Sequence, residues 1–447
     1  MERYETYKDS GIQWVGEIPS HWDSNKLKFF ADISTGTTPS TANEEYWNEA
    51  TENWYTPADF NEGDIHLNGS SRKVSAMAFE KSACKVFKKN VVLVVGIGAT
   101  LGKIGFSRVE CSANQQINAI EFYDNVYPLF GAYYLSSLKE VMKSLASAAT
   151  LAIMNQSVTG SIPFVCPTLA EQKNIAAYLD HKVGQIDVAI AEKEQMLEDL
   201  KNYRSAIISE AVTKGLDKNV EMKDSGIEWL GMIPKHWGLV KLKNKAKVNG
   251  RIGFRGYTTA DLVPKGQGAY TIGGKHITNC VIDLSNPDFI SWDKYYESPE
   301  IMVKKGDILM AQRGSLGKAA LVREDIGDAT INPSLVLLNS IAMNEVFLYY
   351  YLVSSSCLAY IDLLNTATAV PMISQNQIEN IFVPVPSGKE QKQIADYLDR
   401  KTKEIDETTI MVSTQISDLK SYKSALITEA VTGKIDLREW KPKVENV

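Results

Sequence analysis

Two stretches of the sequence concentrate basic side chains, the kind of residue that binds phosphate groups. From Leu239 to Gly256 the chain has four lysines, two arginines and no acid. From Arg72 to Lys89 it has six basic residues and one acid, Glu80. Screening limits the field of each charge to about 10 Å, so these clusters matter more than the formal net charge of −6. Both stretches are candidates for contact with nucleic acid, and a solvated surface is the competing interpretation.

Two other segments resemble catalytic or cofactor-binding loops but lack residues that those loops need. Gly96–Lys103 reads GIGATLGK, yet a phosphate-binding loop requires glycine where Ile97 stands and serine or threonine where Ile104 stands. We interpret it as a turn between strands. Ile331–Ser334 lacks the second proline and the aromatic residue of the Asn-Pro-Pro-aromatic loop of amino-methyltransferases. The sequence therefore predicts no catalytic residue in this chain.

The histidines and cysteines do not form a metal-binding pattern. The five cysteines are odd in number and scattered, which predicts reduced thiols rather than disulfides or a zinc site. His21 and His236 each precede a tryptophan in repeated sequence, which predicts packing or hydrogen bonding where a domain starts. The amino terminus is charged, and the sequence has no apolar run of about eighteen residues. We therefore expect neither a signal peptide nor a membrane segment. We expect no metal and no cofactor in this chain.

The chain repeats part of its own sequence. Three segments return 215 to 219 residues later: Tyr7–Lys28 at Met222–Lys243, Glu171–Asp187 at Glu390–Asp406, and Lys201–Thr213 at Lys420–Thr432. This period is too long for a solenoid. It indicates a duplicated unit in which a domain is followed by a helix.

Each repeat ends with the signals of one long helix. Capping boxes begin at Thr168 and Ser387, and Gly215 and Gly433 mark the far ends. A helix of about 45 residues is about 65 Å long at 1.5 Å per residue. In the second helix, apolar residues recur every seven positions at Leu398, Ile405, Val412, Leu419 and Leu426. The matching positions of the first helix hold Leu179, Ile186, Leu200 and Ile207, with Lys193 between Ile186 and Leu200. This pattern predicts an antiparallel coiled coil. A long helix packed on its own domain is the alternative.

The sequence predicts an α+β fold with two mixed α/β domains separated by two long antiparallel coiled-coil helices, related by a pseudo-two-fold internal repeat. A tyrosine-rich apolar helix is predicted in each domain, at Pro128–Leu145 and Glu345–Leu364. The expected segments are a first domain at 1–166, a long helix at 167–214, a second domain at 215–385, a long helix at 386–436 and a tail at 437–447. Because the repeats diverge inside the domains, we expect similar folds with unlike surfaces.

This organisation resembles the specificity subunit of type I restriction-modification systems over the whole chain. The resemblance is carried by DSGI followed by HW, by EQK followed by YLD, and by SA followed by EAVT, each present twice. Inside the domains, Ser34–Ser40 with Asn53–Phe60 is similar to the opening of the family's first target-recognition domain. Gly250–Thr258 with Lys305–Lys318 is similar to that of the second.

The scattered cysteines indicate reduced thiols in a cytoplasm, and the resemblance implies a reader of double-stranded DNA without catalysis of its own. Each domain is expected to read one half of a bipartite asymmetric site, with the helices fixing the unread spacer. The chain is expected to bind two methyltransferase (modification) subunits and restriction (translocase/nuclease) subunits. S-adenosylmethionine, ATP and Mg are expected on those partners.

The residues predicted to contact DNA combine basic side chains with amides and hydroxyls, because lysines mainly bind phosphate whereas arginine and glutamine can read base edges. They are Thr37, Thr38, Arg72, Lys73, Lys103 and Gln115 in the first domain, and Arg251, Arg255, Lys275, Gln312, Arg313 and Lys318 in the second.

Two other classes of function compete with this interpretation. One is an enzyme with methyltransferase or nuclease activity in the same chain, which methyl transfer by the purified chain alone would support. The other is a coiled-coil interaction protein that never touches DNA. Equal affinity for random and cognate DNA within a partner complex would favour it.

Overall fold

A computed structural model of the chain describes residues 3–146, 153–251, 256–278, 280–365 and 370–442. Contacts divide the chain into two units, which we call the first unit (Met1–Glu194 with Thr414–Val447) and the second unit (Gln195–Ser413). Each unit thus combines one domain with parts of both long helices. The domain boundaries drawn from the sequence remain a prediction.

The first half of the chain contains eleven strands and five α-helices in its described residues. Strands β1 to β11 are Tyr7–Asp9, Glu17–Pro19, Asp23–Lys26, Ala31–Thr35, Glu52–Tyr55, Lys73–Val74, Val91–Val95, Ile104–Ser107, Ser112–Ala113, Ile117–Phe122 and Pro163–Cys166. Helices α1 to α5 are Ala76–Glu80, Pro128–Ser136, Lys139–Ala146, Gln156–Gly160 and Leu169–Lys214.

The core of the first unit is an antiparallel sheet with the strand order β4-β10-β7-β8. Strand β7 reads VVLVV and is buried at every residue, as expected for a strand covered on both faces. Helix α2 packs against β7, β8 and β10. A smaller sheet, β6-β5-β9, lies in the same unit and carries Arg72 and Lys73 at its β6 edge.

The second half of the chain repeats this plan. Strands β12 to β24 are Met222–Asp224, Met232–Pro234, Gly238–Lys241, Lys247–Gly250, Gly268–Ile272, Ile277–Thr278, Val281–Ile282, Asp288–Ser291, Ile308–Ala311, Ala319–Leu321, Ala329–Ile331, Leu335–Asn339 and Phe382–Val385. Helices α6 to α10 are Trp292–Tyr296, Glu345–Leu352, Ser355–Leu364, Gln375–Glu379 and Gly388–Val431. The central sheet has the order β15-β23-β20-β21, which matches β4-β10-β7-β8 strand for strand. The predicted internal repeat is confirmed.

The tyrosine-rich helices differ from the prediction because each is broken into two. In the first unit α2 ends at Ser136, and the hydroxyls of Ser136 and Ser137 donate hydrogen bonds to the carbonyls of Tyr133 and Tyr134. In the second unit Ser354 caps a new helix by accepting a hydrogen bond from the Cys357 backbone N–H. Serine hydroxyls that bond to nearby backbone groups favour helix ends over helix interiors.

Within the described ranges, no individual helix combines the length and apolar character that crossing a membrane requires. Helices α7 and α8 satisfy those two criteria only when they are taken together, and a 59° bend separates them.

The long helices, Leu169–Lys214 and Gly388–Val431, lie between the capping boxes and the glycines that the sequence marks as their limits. The backbone N–H of Thr168 donates to Glu171 Oε2 (3.1 Å), and Ser387 does the same to Glu390 Oε2 (3.1 Å). Gly215 and Gly433 follow the helices with φ of +79° and +72°, a conformation that glycine adopts at little cost. These local signals explain why both helices have bounds that are readable from sequence.

Parts of the two helices pair antiparallel within each unit. In the first unit Asp187 contacts Lys423 and Lys193 contacts Gln415, so the residue number rises on one helix as it falls on the other. In the second unit Arg204 contacts Asp406. Seven of the nine predicted seam residues are buried, namely Leu179, Ile186, Ile207, Leu398, Ile405, Val412 and Leu426. Leu200 and Leu419 are half-buried. The predicted coiled coil is confirmed.

Candidate nucleic-acid interface

The repeated His-Trp pair attaches each domain to the start of its long helix. In the first unit Glu171 Oε1 accepts hydrogen bonds from Trp22 Nε1 at 3.2 Å and lies 2.8 Å from His21 Nε2. In the second unit Glu390 Oε1 lies 3.3 Å from Trp237 Nε1 and 2.8 Å from His236. The prediction that these histidines hydrogen-bond where a domain starts is confirmed.

Burial of the Glu171 carboxyl opposes its ionisation, but hydrogen bonds from Thr168, His21 and Trp22 outweigh burial and lower the pKa of Glu171. The pKa of Glu390 is lowered by the same balance, with His236 and Ser387 as hydrogen-bonding partners. Hydrogen bonds to the charged form of an acid favour that form. At the start of each long helix, a charged carboxylate therefore joins the helix to its domain through hydrogen bonds.

A second carboxylate on each helix contacts the domain further along. Asp180 accepts a hydrogen bond from the Tyr133 hydroxyl at 2.7 Å and lies 3.2 Å from His66 Nε2. Asp399 accepts from the Tyr350 hydroxyl at 2.8 Å and forms a paired contact with Arg323 at 2.7 and 3.0 Å. The sequence analysis missed these anchors, although both aspartates stand in the repeated YLD motif.

Five of the predicted DNA-contacting residues follow one connected surface of the first unit. Thr38 Oγ1 donates to Gln115 Oε1 at 2.5 Å, and both residues are exposed. The Thr37 carbonyl accepts a hydrogen bond from Trp54 Nε1 at 3.0 Å. Trp54 in turn contacts the guanidinium of Arg72, which lies 5.0 Å from its ring, and Lys73 follows Arg72. We call Thr37, Thr38, Arg72, Lys73 and Gln115 the first reading patch.

Lys103 lies apart from the first reading patch. Its Nζ donates to the Phe60 carbonyl at 2.8 Å and is 4.0 Å from Glu62. It lines a cavity of about 670 Å³ that Lys423 and Asp187 also line. The segment that carries it joins β7 to β8, with Gly98 and Gly102 at φ of +87° and +83°. This confirms the interpretation of GIGATLGK as a turn.

Arg251 is inside the second domain rather than on its surface. It is 5% exposed, and its guanidinium donates to the Ile331 carbonyl at 3.2 Å and to Thr330 Oγ1 at 3.0 Å. Burial lowers the pKa of Arg251. Its side chain thus supports strand β22 from within. Arg255 lies outside the described residues.

Of the other predicted residues of the second domain, Gln312 and Arg313 contact the Asn332–Ser334 turn, whereas Lys275 forms an ion pair with Asp288 at 2.7 Å. Gln312 Nε2 donates to the Pro333 carbonyl at 3.0 Å, and the Arg313 backbone N–H donates to the Ser334 carbonyl at 3.3 Å. Ser334 Oγ also accepts from the backbone N–H of Gly274, the neighbour of Lys275. We call Lys275, Gln312, Arg313 and Lys318 the second reading patch; Lys318 is exposed beyond the turn at Gly317.

The turn itself has a structural role. Asn332 Oδ1 accepts from the Ser334 backbone N–H at 2.9 Å, and Asn114 Oδ1 accepts from Gln116 N–H at 3.0 Å in the corresponding turn of the first domain. Asparagine commonly stabilises turns in this way. In the described ranges, no three His, Cys, Asp or Glu side chains are grouped to hold a metal ion.

Comparison with known proteins places these features in one family. A family model described as type I restriction modification DNA specificity domain matches residues 19–198 and 280–413. The chain is 24% identical over 443 residues to the specificity subunit of type I restriction enzyme MjaIX from Methanocaldococcus jannaschii, covering 98% of both proteins. It is 24% identical over 364 residues to the EcoBI specificity subunit of Escherichia coli, covering 78% of this chain and 74% of that one.

Solved structures share the fold. A chain from a study of complex assembly and conformational transition in the type I R-M system has a TM-score of 0.71 at 15% identity, covering 94% of this chain and 99% of that one. The HsdS subunit from Thermoanaerobacter tengcongensis has a TM-score of 0.52 at 15% identity, covering 94% and 98%.

Proposed function

Because the chain belongs to the type I restriction-modification DNA specificity family, we propose that it reads a bipartite DNA site and assembles the catalytic subunits around that site. The family consists of specificity subunits, which are not enzymes. Each domain reads one half-site through its own reading patch. Methylation of adenine, DNA translocation and cleavage are carried out by the partners, which bind S-adenosylmethionine, ATP and Mg.

The main support for this proposal is that the two domains share one arrangement of strands and helix contacts but have different surface residues. The sheets β4-β10-β7-β8 and β15-β23-β20-β21 have the same order, and both domains hold a carboxylate of the adjoining helix through a tyrosine. The first reading patch, however, presents Arg72 against tryptophans, while the second presents Gln312 and Arg313 around a turn. Two different patches on domains of similar fold fit an asymmetric site with two different halves.

The helix surfaces support the binding of two copies of one partner. Tyr203 and Tyr422 occupy equivalent positions in the repeated segments and are 51% and 56% exposed. Ile410 and Met411 are exposed on the part of helix α10 that belongs to the second unit. Exposed aromatic and apolar side chains of this kind are typical of interface cores. Because the tyrosine recurs, we propose that each copy marks the docking position of one methyltransferase subunit.

Mapping methylated adenines in the source genome, with and without this gene, tests the proposal. We expect a gapped motif with two unlike halves to be methylated in the parent strain, lost on deletion, and restored by a plasmid copy of the gene. Unchanged methylation after deletion, or a continuous motif, would contradict the proposal. Methyl transfer by the purified chain without partners would instead favour the enzyme alternative.

A further inference from the structure

Arg72 is held against two perpendicular tryptophan rings at the edge of the first domain. Its guanidinium carbon lies 4.8 Å from the Trp47 ring and 5.0 Å from the Trp54 ring. The two rings are 5.3 Å apart with an interplanar angle of 89°. Contacts with two rings at right angles restrict the guanidinium along two directions. An arginine stacked in this way keeps little of the rotamer freedom of an exposed side chain.

Both tryptophans are themselves fixed by hydrogen bonds. Trp54 is 2% exposed, and its Nε1 donates to the Thr37 carbonyl at 3.0 Å. Trp47 Nε1 donates to the Ser40 carbonyl at 3.1 Å. The two tryptophans that contact Arg72 are therefore fixed within the domain. Trp54 also links them to Thr37, whose neighbour Thr38 contacts Gln115.

The guanidinium of Arg72 has hydrogen-bond donors to spare in the described part of the chain. Among the residues that the structure describes, none accepts a hydrogen bond or an ion pair from its guanidinium. Arg108 of the same domain, by contrast, contacts Asp180, and Arg323 makes a paired contact with Asp399. Arg72 is exposed, so its planar set of N–H donors is positioned and available to a ligand.

We propose that Arg72 reads a guanine in the half-site bound by the first domain, donating two hydrogen bonds to its O6 and N7 atoms in the major groove. This inference rests on the proposed function. Of the four bases, guanine alone presents two acceptors side by side on that edge, which match a planar guanidinium. Arginine can also bind phosphate through two hydrogen bonds, but Lys73 and Lys85, both exposed nearby, already supply charge for phosphate contacts.

The test uses the chain assembled with its methyltransferase subunits and duplexes that carry the mapped motif. The half-site of the first domain is assigned by exchanging residues 22–165. Each guanine in that half-site is replaced in turn by 7-deazaguanine, which lacks the N7 acceptor. We expect one replacement to weaken binding by the wild-type complex about ten- to hundredfold. The same replacement should have little effect on the Arg72→Ala complex, which has no hydrogen-bond donor on the side chain at this position.

Two variants separate base reading from positioning and from simple charge. Trp47→Leu removes one ring, so it should reduce the dependence on N7 while leaving the slope of affinity against salt unchanged. Arg108→Lys changes an arginine of the same domain that contacts Asp180 and Phe106, and it should keep the full dependence on N7. Recognition of the other half-site reports proper folding of every variant.

Three results would overturn the inference while leaving the proposed function intact. The first is a half-site without guanine on either strand. The second is equal sensitivity to 7-deazaguanine in wild type and Arg72→Ala. The third is an even loss of affinity for all sequences in Arg72→Gln, with the salt slope reduced by about one, which marks a phosphate contact. A failure of the proposed function is recognised separately, because the wild-type complex would then methylate no bipartite motif.

Discussion

Lys423 of the second long helix lies 2.6 Å from Asp187 of the first, and the repeat provides the same pair with the helices exchanged. Arg204 of the first helix lies 3.1 Å from Asp406 of the second. Asp187 and Asp406 end one repeated segment, and Arg204 and Lys423 occupy equivalent positions in another. Antiparallel pairing brings the aspartate of one copy to the basic residue of the other. This explains why one chain contains both segments twice.

The two pairs differ in burial, which predicts different effects of breaking them. The Lys423 side chain is 9% exposed and also donates to the Gly63 carbonyl, whereas the Arg204 side chain is 26% exposed and Asp406 is 56% exposed. Lys423→Ala should lower the free energy of unfolding by about 1–3 kcal/mol, and Arg204→Ala by about 0–1 kcal/mol.

Hydrogen exchange checks the location of this effect. Because Lys423 holds the Gly63 carbonyl, amide exchange near residues 60–66 should rise in Lys423→Ala and stay unchanged in Arg204→Ala. Equal exchange at that loop in both variants would show that the Lys423 contact does not hold it.

Stability should depend on the ionisation of Glu171. Its pKa is lower in the folded chain, so its contribution is fully present above the unfolded value of about 4.3 and is lost as pH falls through the lower folded value. Glu171→Gln should lower the free energy of unfolding by about 1–2 kcal/mol at pH 7 and reduce the loss of stability on acidification.

Glu390→Gln is the matched control for this prediction. The Glu390 side chain is 32% exposed against 6% for Glu171, so its replacement should have a smaller effect in the same direction. Urea unfolding between pH 7 and pH 3 measures both. A Glu171→Gln chain with the full wild-type acid sensitivity would contradict the role assigned to this carboxylate.

When single leucines of the long helices are replaced with alanine, the loss of stability should depend on the burial of the leucine rather than on its heptad position. Leu179 and Leu398 are fully buried equivalents, and replacing either with alanine should cost about 2–5 kcal/mol. Leu200 and Leu419 are half-buried, and the same change should cost about 1–2 kcal/mol. Chemical unfolding of the four variants distinguishes the pairs, and similar losses at all four positions would argue against the packing described.

Features set by neighbouring residues could be predicted from sequence. The capping boxes at Thr168 and Ser387 and the glycines at 215 and 433 act within one helical turn, so the helix bounds were readable. The seven-residue spacing revealed the seam for the same reason. Lys193 interrupts that spacing, and the structure places it at the helix pair, where it contacts Gln415.

Features that depend on distant partners could not be predicted. Arg251 and Arg72 each lie in a basic stretch of the sequence and cannot be told apart there. In the structure Arg251 is buried and hydrogen-bonded to β22, whereas Arg72 is exposed and stacked on Trp47 and Trp54. Lys103 is held by the Phe60 carbonyl, and nothing in its neighbouring sequence indicates that contact. The two tyrosine-rich helices are broken near Ser137 and Ser354. Both positions lie in apolar stretches, whose hydrophobic content led to the prediction of one continuous helix in each domain.

The independence of the two domains is tested by exchanging residues 22–165 for the equivalent segment of another family member and mapping methylated adenines. We expect a motif in which one half changes to that of the donor and the other half stays the same. A motif in which both halves change, or in which neither does, would contradict the claim that each domain reads its own half-site.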